Sequence, residues 1–295
     1  MYISDGPLDE PDVHLHPDLQ ARLMRFLDEL VVEFGFTILI ATHSTAILGE
    51  LSSSERAAVA FMRSGDKELE FHGIDDMYRQ VLPVFGAHPL SNVFNDAPVL
   101  LVEGEDDVRI WQQAVRTSEG QIKLYPVECG SVNALVDYEV RTKNVVESIY
   151  DDAKAFSLRD GDGVAEELDD QLPIVRMRMS CRAAENLILS DEVLTSANNT
   201  WDVVKGSIET WITNNPDHSR NALMCKFRDE EYPRKDFDLK DLRMLMVGEI
   251  LDSNKPWEVL VGQVLGSLGP DQKDSTVDGS ICNFLGAKAT ASLLG

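Results

Sequence analysis

Two short stretches hold acids whose types and spacing could do chemistry. In "PVLLVEGEDDV" an apolar run, Val99 to Val102, stops at Glu103, and Asp107 follows four residues later. In "AFSLRDGD" a second apolar run ends in Asp160, with Asp162 two residues beyond it. A buried strand that ends in a carboxylate needs a partner for that charge, because an uncompensated ion is costly to desolvate. Parallel strands would bring both tips to the carboxyl edge of one sheet, where α/β proteins bind ligands. Gly104 permits a sharp turn, which puts Asp107 in the first turn of the next helix. In extended chain, residues two apart project to the same side, so Asp160 and Asp162 are expected on one face. Such an all-oxygen set suits Mg²⁺ or Mn²⁺ better than zinc. The competing reading is helix capping, in which carboxylates accept from free N–H groups. Capping alone would account for Asp107 and Asp162 more readily than for Glu103 and Asp160.

A second constellation lies near the start, in "LDEPDVHLHP" (Leu8–Pro17) and "ILIATHS" (Ile38–Ser44). An Asp-Glu pair at a strand end can hold Mg²⁺ and polarise a water against a terminal phosphate, and a histidine on the neighbouring strand can reach the same phosphate. Asp9, Glu10 and His43 fill those places. The plainer alternative is a helix-capping turn with solvated His14 and His16. No GxxxxGKS or GxxxxGKT stretch occurs, so nothing here wraps phosphates with backbone amides and a lysine. Gly6-Pro7 would break the apolar strand expected before Asp9. The chain is therefore expected to be the C-terminal portion of a longer ATPase-bearing protein, or a divergent one, without ATP hydrolysis of its own.

Hydrophobic periodicity supplies the elements that must position these residues. Leu19, Leu23, Phe26, Leu27, Leu30, Val31 and Phe34 follow helical spacing after Pro17, and "FTILIA" (Phe36–Ala41) suits a buried parallel strand. From Pro98 onward, strands are expected in "VLLVE", "IKLYPVE", "AKAFSLRD" and "PIVRMRMS". Helices are expected over 106–115, over 132–149 and after Gly163. The alternation predicts an α/β domain whose parallel sheet has helices on both faces. Beyond about 195 the chain reads as mixed and mostly helical, with "NFLGAKATASLLG" as a closing helix.

The first constellation resembles, in its strand-EGxxD, "PVECGSVN" and strand-DxD order, the Toprim (topoisomerase–primase) domain. The N-terminal one resembles the Walker B and switch-histidine region of ABC-type ATPases, and "EPxxHLHP" is similar to the branch containing RecF-like and OLD-type proteins (OLD, overcoming lysogenisation defect). The two in succession resemble the OLD family, an ATPase followed by a Toprim nuclease. This implies a partial ABC-type ATPase segment over 1–60, a connector over 61–97, a Toprim domain over 98–190 and a helical extension over 191–295. It further implies metal-dependent DNA cleavage with two Mg²⁺ or Mn²⁺ ions, Glu103, Asp107, Asp160 and Asp162 as catalytic ligands, and acid–base duty for Glu103. "CRAAENLIL" resembles an element that follows the DxD strand in some Toprim-like proteins. That would make Glu185 a further metal ligand, with a solvated helix glutamate as the alternative. ATP would bind only with the missing N-terminal part supplied. Dimerisation or assembly through the ATPase region, a role in defence against phage and a defence-system partner are further implications.

Charge narrows the partners. A net charge of −24 over 295 residues argues against a general basic field that coats nucleic acid, but not against a nuclease whose metals reverse the local sign. Arg176, Arg178 and Arg182 follow the DxD; Arg176 and Arg178 share a strand face that could meet phosphates or simply face solvent. Cys129, Cys181, Cys225 and Cys282 have no metal-ligand spacing and are expected to be free thiols. No apolar run nears the ~20 residues of a membrane span and no signal peptide is evident, so a cytoplasmic protein without a membrane partner is expected. Two other functions fit the same residues: an RNA-directed Toprim nuclease, since nothing here distinguishes a 2′-OH, and a catalytically dead, truncated regulatory or binding subunit.

Overall fold

A computed structural model describes residues 8–9, 15, 17–35, 37–41, 56–60, 71–73, 97–149 and 154–295. The chain divides into two compact units, Met1–Asp96 with Asn144–Ala153, and Ala97–Lys143 with Lys154–Gly295.

In the first unit β1 (Leu8–Asp9) pairs in parallel with β2 (Ile40–Ala41), setting Leu8 opposite Ile40 and Asp9 opposite Ala41. Between them runs α1 (Pro17–Phe34), as its apolar spacing predicts. Met24 is buried, while Leu19, Phe26, Val32 and Phe34 are exposed. A short antiparallel pair joins β3 (Ala58–Val59), at the end of the expected ATPase segment, to β4 (His72–Gly73), in the expected connector.

The second unit is built on a four-stranded, all-parallel sheet in the order β6-β5-β7-β8. Its strands are β5 (Val99–Val102), β6 (Tyr125–Glu128), β7 (Ala155–Arg159) and β8 (Ile174–Arg178). Every residue of β5 and β7 is buried, which is why both read as unbroken rather than alternating runs. Helix α2 (Glu105–Thr117) connects β5 to β6, and α3 (Val132–Ile149) leads from β6 to β7.

One expected element does not form. No helix follows Gly163; residues 164–170 run as irregular chain into a bridge between Gln171 and Ile174. The acid-rich stretch satisfies its polar groups across the fold instead. Lys288 Nζ donates to the Leu168 carbonyl at 2.7 Å and pairs with Asp170 at 2.8 Å, and Asp170 accepts from the Arg176 N–H at 3.0 Å.

The C-terminal region is helical, as its pattern suggested. A 3₁₀ turn (Ala184–Leu189) leads to α4 (Asp191–Ser196), α5 (Trp201–Asn214) and α6 (Asn221–Asp229). A single helical turn at Arg243–Leu245 then opens into a π turn (Met246–Ile250). The chain closes with α7 (Trp257–Ser267), α8 (Ile281–Leu285) and α9 (Ala287–Leu293). Helix α7 lies along α2, and two glycines allow the close approach: a Cβ on Gly262 would stand 2.5 Å from the Ile110 carbonyl oxygen, and one on Gly266 2.5 Å from that of Ala114. Helix α9 packs beside β8, and the N–H of Cys181 donates to the Phe284 carbonyl at 2.9 Å, tying α8 to the end of that strand.

Candidate functional site

The strand order makes β5 and β7 neighbours, so Glu103 and Asp160 emerge side by side at the carboxyl edge. Glu103 Oε1 accepts from the Asp160 N–H at 3.2 Å, which fixes the two tips together. Asp160 Oδ1 accepts from the Ala184 N–H at 3.2 Å, drawing in the 3₁₀ turn. That turn is anchored by Asn186, whose Oδ1 accepts from the Ala183 N–H and whose amide donates to the carbonyls of Arg234 and Phe237 at 2.9 and 3.0 Å. Glu185 is thereby held buried, at 8 % exposure, rather than solvated on a helix surface.

Asp107 answers to both readings of its type. Its Oδ2 accepts from the Gly104 N–H at 3.0 Å and so closes the first turn of α2, the capping role. It also belongs to the acid cluster. Burial first, then the charges of Glu185, Glu103 and Asp106, push its carboxyl up to about 6, against the lowering effect of the Gly104 bond. Asp160 is pushed further, to about 8, by burial and then by Asp107, Glu103 and Glu185; the positive charge of Lys240 works the other way. A cluster in which burial and like charge together oppose ionisation is the arrangement that a cation relieves.

Asp162 departs from expectation. Its φ is +48° and its side chain is exposed. Strand β7 stops at Arg159, and the chain then turns, so the same-side rule of extended chain does not apply to Asp160 and Asp162. The N–H groups of Gly161 and Asp162 donate to the carbonyls of Cys181 and Arg182 at 3.1 and 2.9 Å. A Cβ on Gly161 would lie 2.1 Å from the Cys181 oxygen, so this turn requires glycine. The acids that act most on Asp160 are Asp107, Glu103 and Glu185, and not the second Asp of the DxD.

The arginines also differ from expectation. Arg176 does not offer a free face: its Nε donates to Glu139 Oε1 at 3.3 Å and its Nη1 to the Asp169 carbonyl at 3.3 Å. Glu139, on α3 and 1 % exposed, also accepts from Arg159 Nη2 through both carboxylate oxygens, at 2.9 and 3.0 Å, and from the Ser157 hydroxyl at 2.5 Å. Two guanidinium groups thus converge on one buried carboxylate, and Arg176 is committed to it. Arg178 Nη1 reaches the carbonyls of Asp160 and Gly161 at 3.4 Å; it braces the turn that holds Asp160. Arg182 is half-buried, and its N–H donates to the Lys235 carbonyl at 2.6 Å.

A cation that the sequence left unassigned stands at the cluster. Arg243 approaches Asp106 at 3.8 Å and Glu185 at 3.9 Å. Nothing in "KDLRML" signals this, because the meeting is made by chain folding alone.

The donor set suits Mg²⁺ or Mn²⁺ by its chemistry: Glu103, Asp107, Asp160 and Glu185 offer only oxygen and carry more negative charge than Lys240 and Arg243 offset. Among the described residues no three His, Cys, Asp or Glu side chains stand gathered at ligand distance, so holding an ion requires these carboxylates to turn toward it. Of the nucleotide-site candidates, the Asp9 backbone lies opposite Ala41, whereas Glu10 and His43 lie outside the described residues. Among the described residues no helix is long and apolar enough to cross a membrane.

No curated protein matches the chain. Residues 7–49 match a family model described as "AAA domain, putative AbiEii toxin, Type IV TA system", a likeness of this stretch to an ABC/AAA-type ATPase segment.

Proposed function

We propose that the chain is a metal-dependent DNA endonuclease of OLD type, with a Toprim site at the β5 and β7 tips and an ATPase region that regulates it. The observation that carries this reading is the junction of Glu103 and Asp160 across neighbouring parallel strands, with Asp107 and Glu185 close enough to raise Asp160 to about 8. Structural acids are arranged to lose such repulsion, whereas sites that bind cations keep it. The likeness of residues 7–49 to an ATPase family model supports an ATPase region ahead of the acid cluster.

Glu103, Asp107, Asp160 and Glu185 would hold the ions. When bound, Mg²⁺ or Mn²⁺ supplies Lewis-acid polarisation and neutralises charge at the phosphate. Asp160, and in part Asp107, must release protons to serve as ligands, so cation binding strengthens with rising pH. Glu103 at the strand tip can take a proton from the attacking water. Arg243 beside Glu185 keeps the cluster from repelling a phosphate outright. Assembly through the ATPase region, phage defence and a defence-system partner extend this reading as implications of the family.

The test uses supercoiled plasmid with Mg²⁺ or Mn²⁺, with and without EDTA, beside Glu103→Gln and Asp160→Asn. The expected result is nicking or linearisation by the unmodified chain alone, abolished by EDTA. Intact plasmid in every lane sinks the proposal and favours a regulatory subunit. Cleavage confined to labelled RNA assigns the same site to an RNA-directed nuclease.

A further inference from the structure

Next to the acid cluster lies a cavity of about 450 Å³ lined by His218, Arg220, Lys240, Asp241, Arg243 and Glu249. Resting on the nuclease reading, we propose that this groove grips the phosphodiester backbone of DNA beside the cut site, through Arg220, Lys240 and Arg243.

Three cations from two separate segments meet here in a chain whose net charge is −24. One of the two facing acids is already engaged: Glu249 Oε2 accepts from the Trp211 indole N–H at 2.6 Å. The other, Asp241, pairs with Arg220 at 3.1 Å, with both side chains well exposed. A pair of that kind contributes little and can be exchanged for a phosphate. Arg220 is set in place from behind, since its N–H donates to His218 Nδ1 at 3.1 Å and the His218 ring meets Trp211 edge-on at 5.0 Å.

Arg243 links the groove to the cluster. Its contacts with Asp106 and Glu185 are longer than hydrogen bonds, and its Nε is buried without an acceptor. One guanidinium edge is held by the Lys240 carbonyl at 2.5 Å, so the group is positioned yet has bonding capacity to spare. The π turn beneath it, closed by the Leu251 N–H to the Met246 carbonyl at 2.9 Å, is a geometry that recurs at functional sites. Planar guanidinium groups suit phosphate oxygens and read no base, so the groove would orient the strand without selecting its sequence.

Fluorescence anisotropy of a labelled DNA duplex, with excess Mg²⁺ and between about 0.1 and 0.3 M salt, tests the assignment. All variants carry Glu103→Gln so that the probe stays intact. The double change Arg220→Ala with Lys240→Ala should weaken binding roughly tenfold and lower the slope of log K against log salt by about 2, one per lost phosphate contact. Asp241→Asn should instead tighten binding about twofold or more, a gain that does not depend on how the double variant folds. Unchanged affinity and slope in the double variant, or no gain from Asp241→Asn, overturns the proposal. The two readings fail separately. Plasmid cutting by the unmodified chain alongside an unaffected double variant removes the groove and keeps the nuclease; groove-dependent binding without any cutting does the reverse.

Discussion

Asp160 is the residue on which charge, burial and position bear most heavily. Folded, it keeps its proton until about pH 8; unfolded, it ionises in the ordinary aspartate range near 4. Between those values the folded chain holds a proton that the unfolded chain has lost, so stability falls as pH rises from about 4 to about 8. Asp160→Asn removes that liability. In EDTA at pH 8 the variant should be more stable than the parent by a few kcal/mol, up to the ~5 kcal/mol to which a pKa difference of about four corresponds, and at pH 4 the difference should vanish. Thermal melts at the two pH values read this directly, and equal Tm gains at both would contradict it. Mg²⁺ should raise the Tm of the parent more than that of the variant. The neighbouring glycine makes a steric claim of its own. With a Cβ 2.1 Å from the Cys181 oxygen and 2.7 Å from that of Met179, Gly161→Ala must push the turn after β7 away from the segment that follows β8. It should cost about 2–3 kcal/mol by urea denaturation, and a neutral result would mean that the turn is looser than these distances require.

At the scale of elements, Glu139 joins α3 to β7 and β8 through Arg159, Arg176 and Ser157. Removing one partner of a buried pair leaves the other charge uncompensated, which costs far more than the pair itself contributes. Glu139→Ala should therefore lose about 3–5 kcal/mol in a denaturant titration, and a loss under 1 kcal/mol would show that the two arginines find water instead. The periodic elements were open to reading from sequence: α1 announces itself by apolar residues at helical spacing, and β5 and β7 by apolar runs that a parallel sheet buries throughout. The acids at the β5 and β7 tips were visible for the same reason, since an apolar run that ends in a carboxylate is conspicuous. Asp162 and the arginines were less legible, because side-chain direction depends on where the strand stops, and β7 stops one residue before Asp160. The stretch after Gly163 misled because its acids resemble a solvated helix, while Asp170 is held by Arg176 on the next strand and by Lys288, far along the chain. Arg243, Lys240 and Asn186 could not have been assigned at all; each acts across the fold on residues distant in sequence.

For the molecule as a whole, a charge of −24 sets two opposed electrostatic effects on any encounter with nucleic acid. The long-range field repels a polyanion, and the Debye length, about 30 Å at 0.01 M salt and about 10 Å at 0.1 M, decides how far that repulsion reaches. On the proposed nuclease reading the local contacts would attract, through ions held at the acid cluster and the cations beside it, and salt would weaken them by counterion competition. Screening of the repulsion is nearly complete once the Debye length is smaller than the distance from the groove to the remote acidic surface, whereas competition for phosphate contacts continues to grow with concentration. Cleavage at subsaturating DNA and fixed Mg²⁺ should therefore rise from about 0.01 to about 0.1 M monovalent salt, as the barrier to approach is screened, and decline beyond it, as the docked contacts are lost. A rate that falls monotonically from the lowest salt would mean that the site's own field dominates at all distances. Initial rates on one plasmid across a potassium chloride series distinguish the two, and the Asp241→Asn variant, with one acid fewer in the groove, should retain its rate to higher salt than the parent.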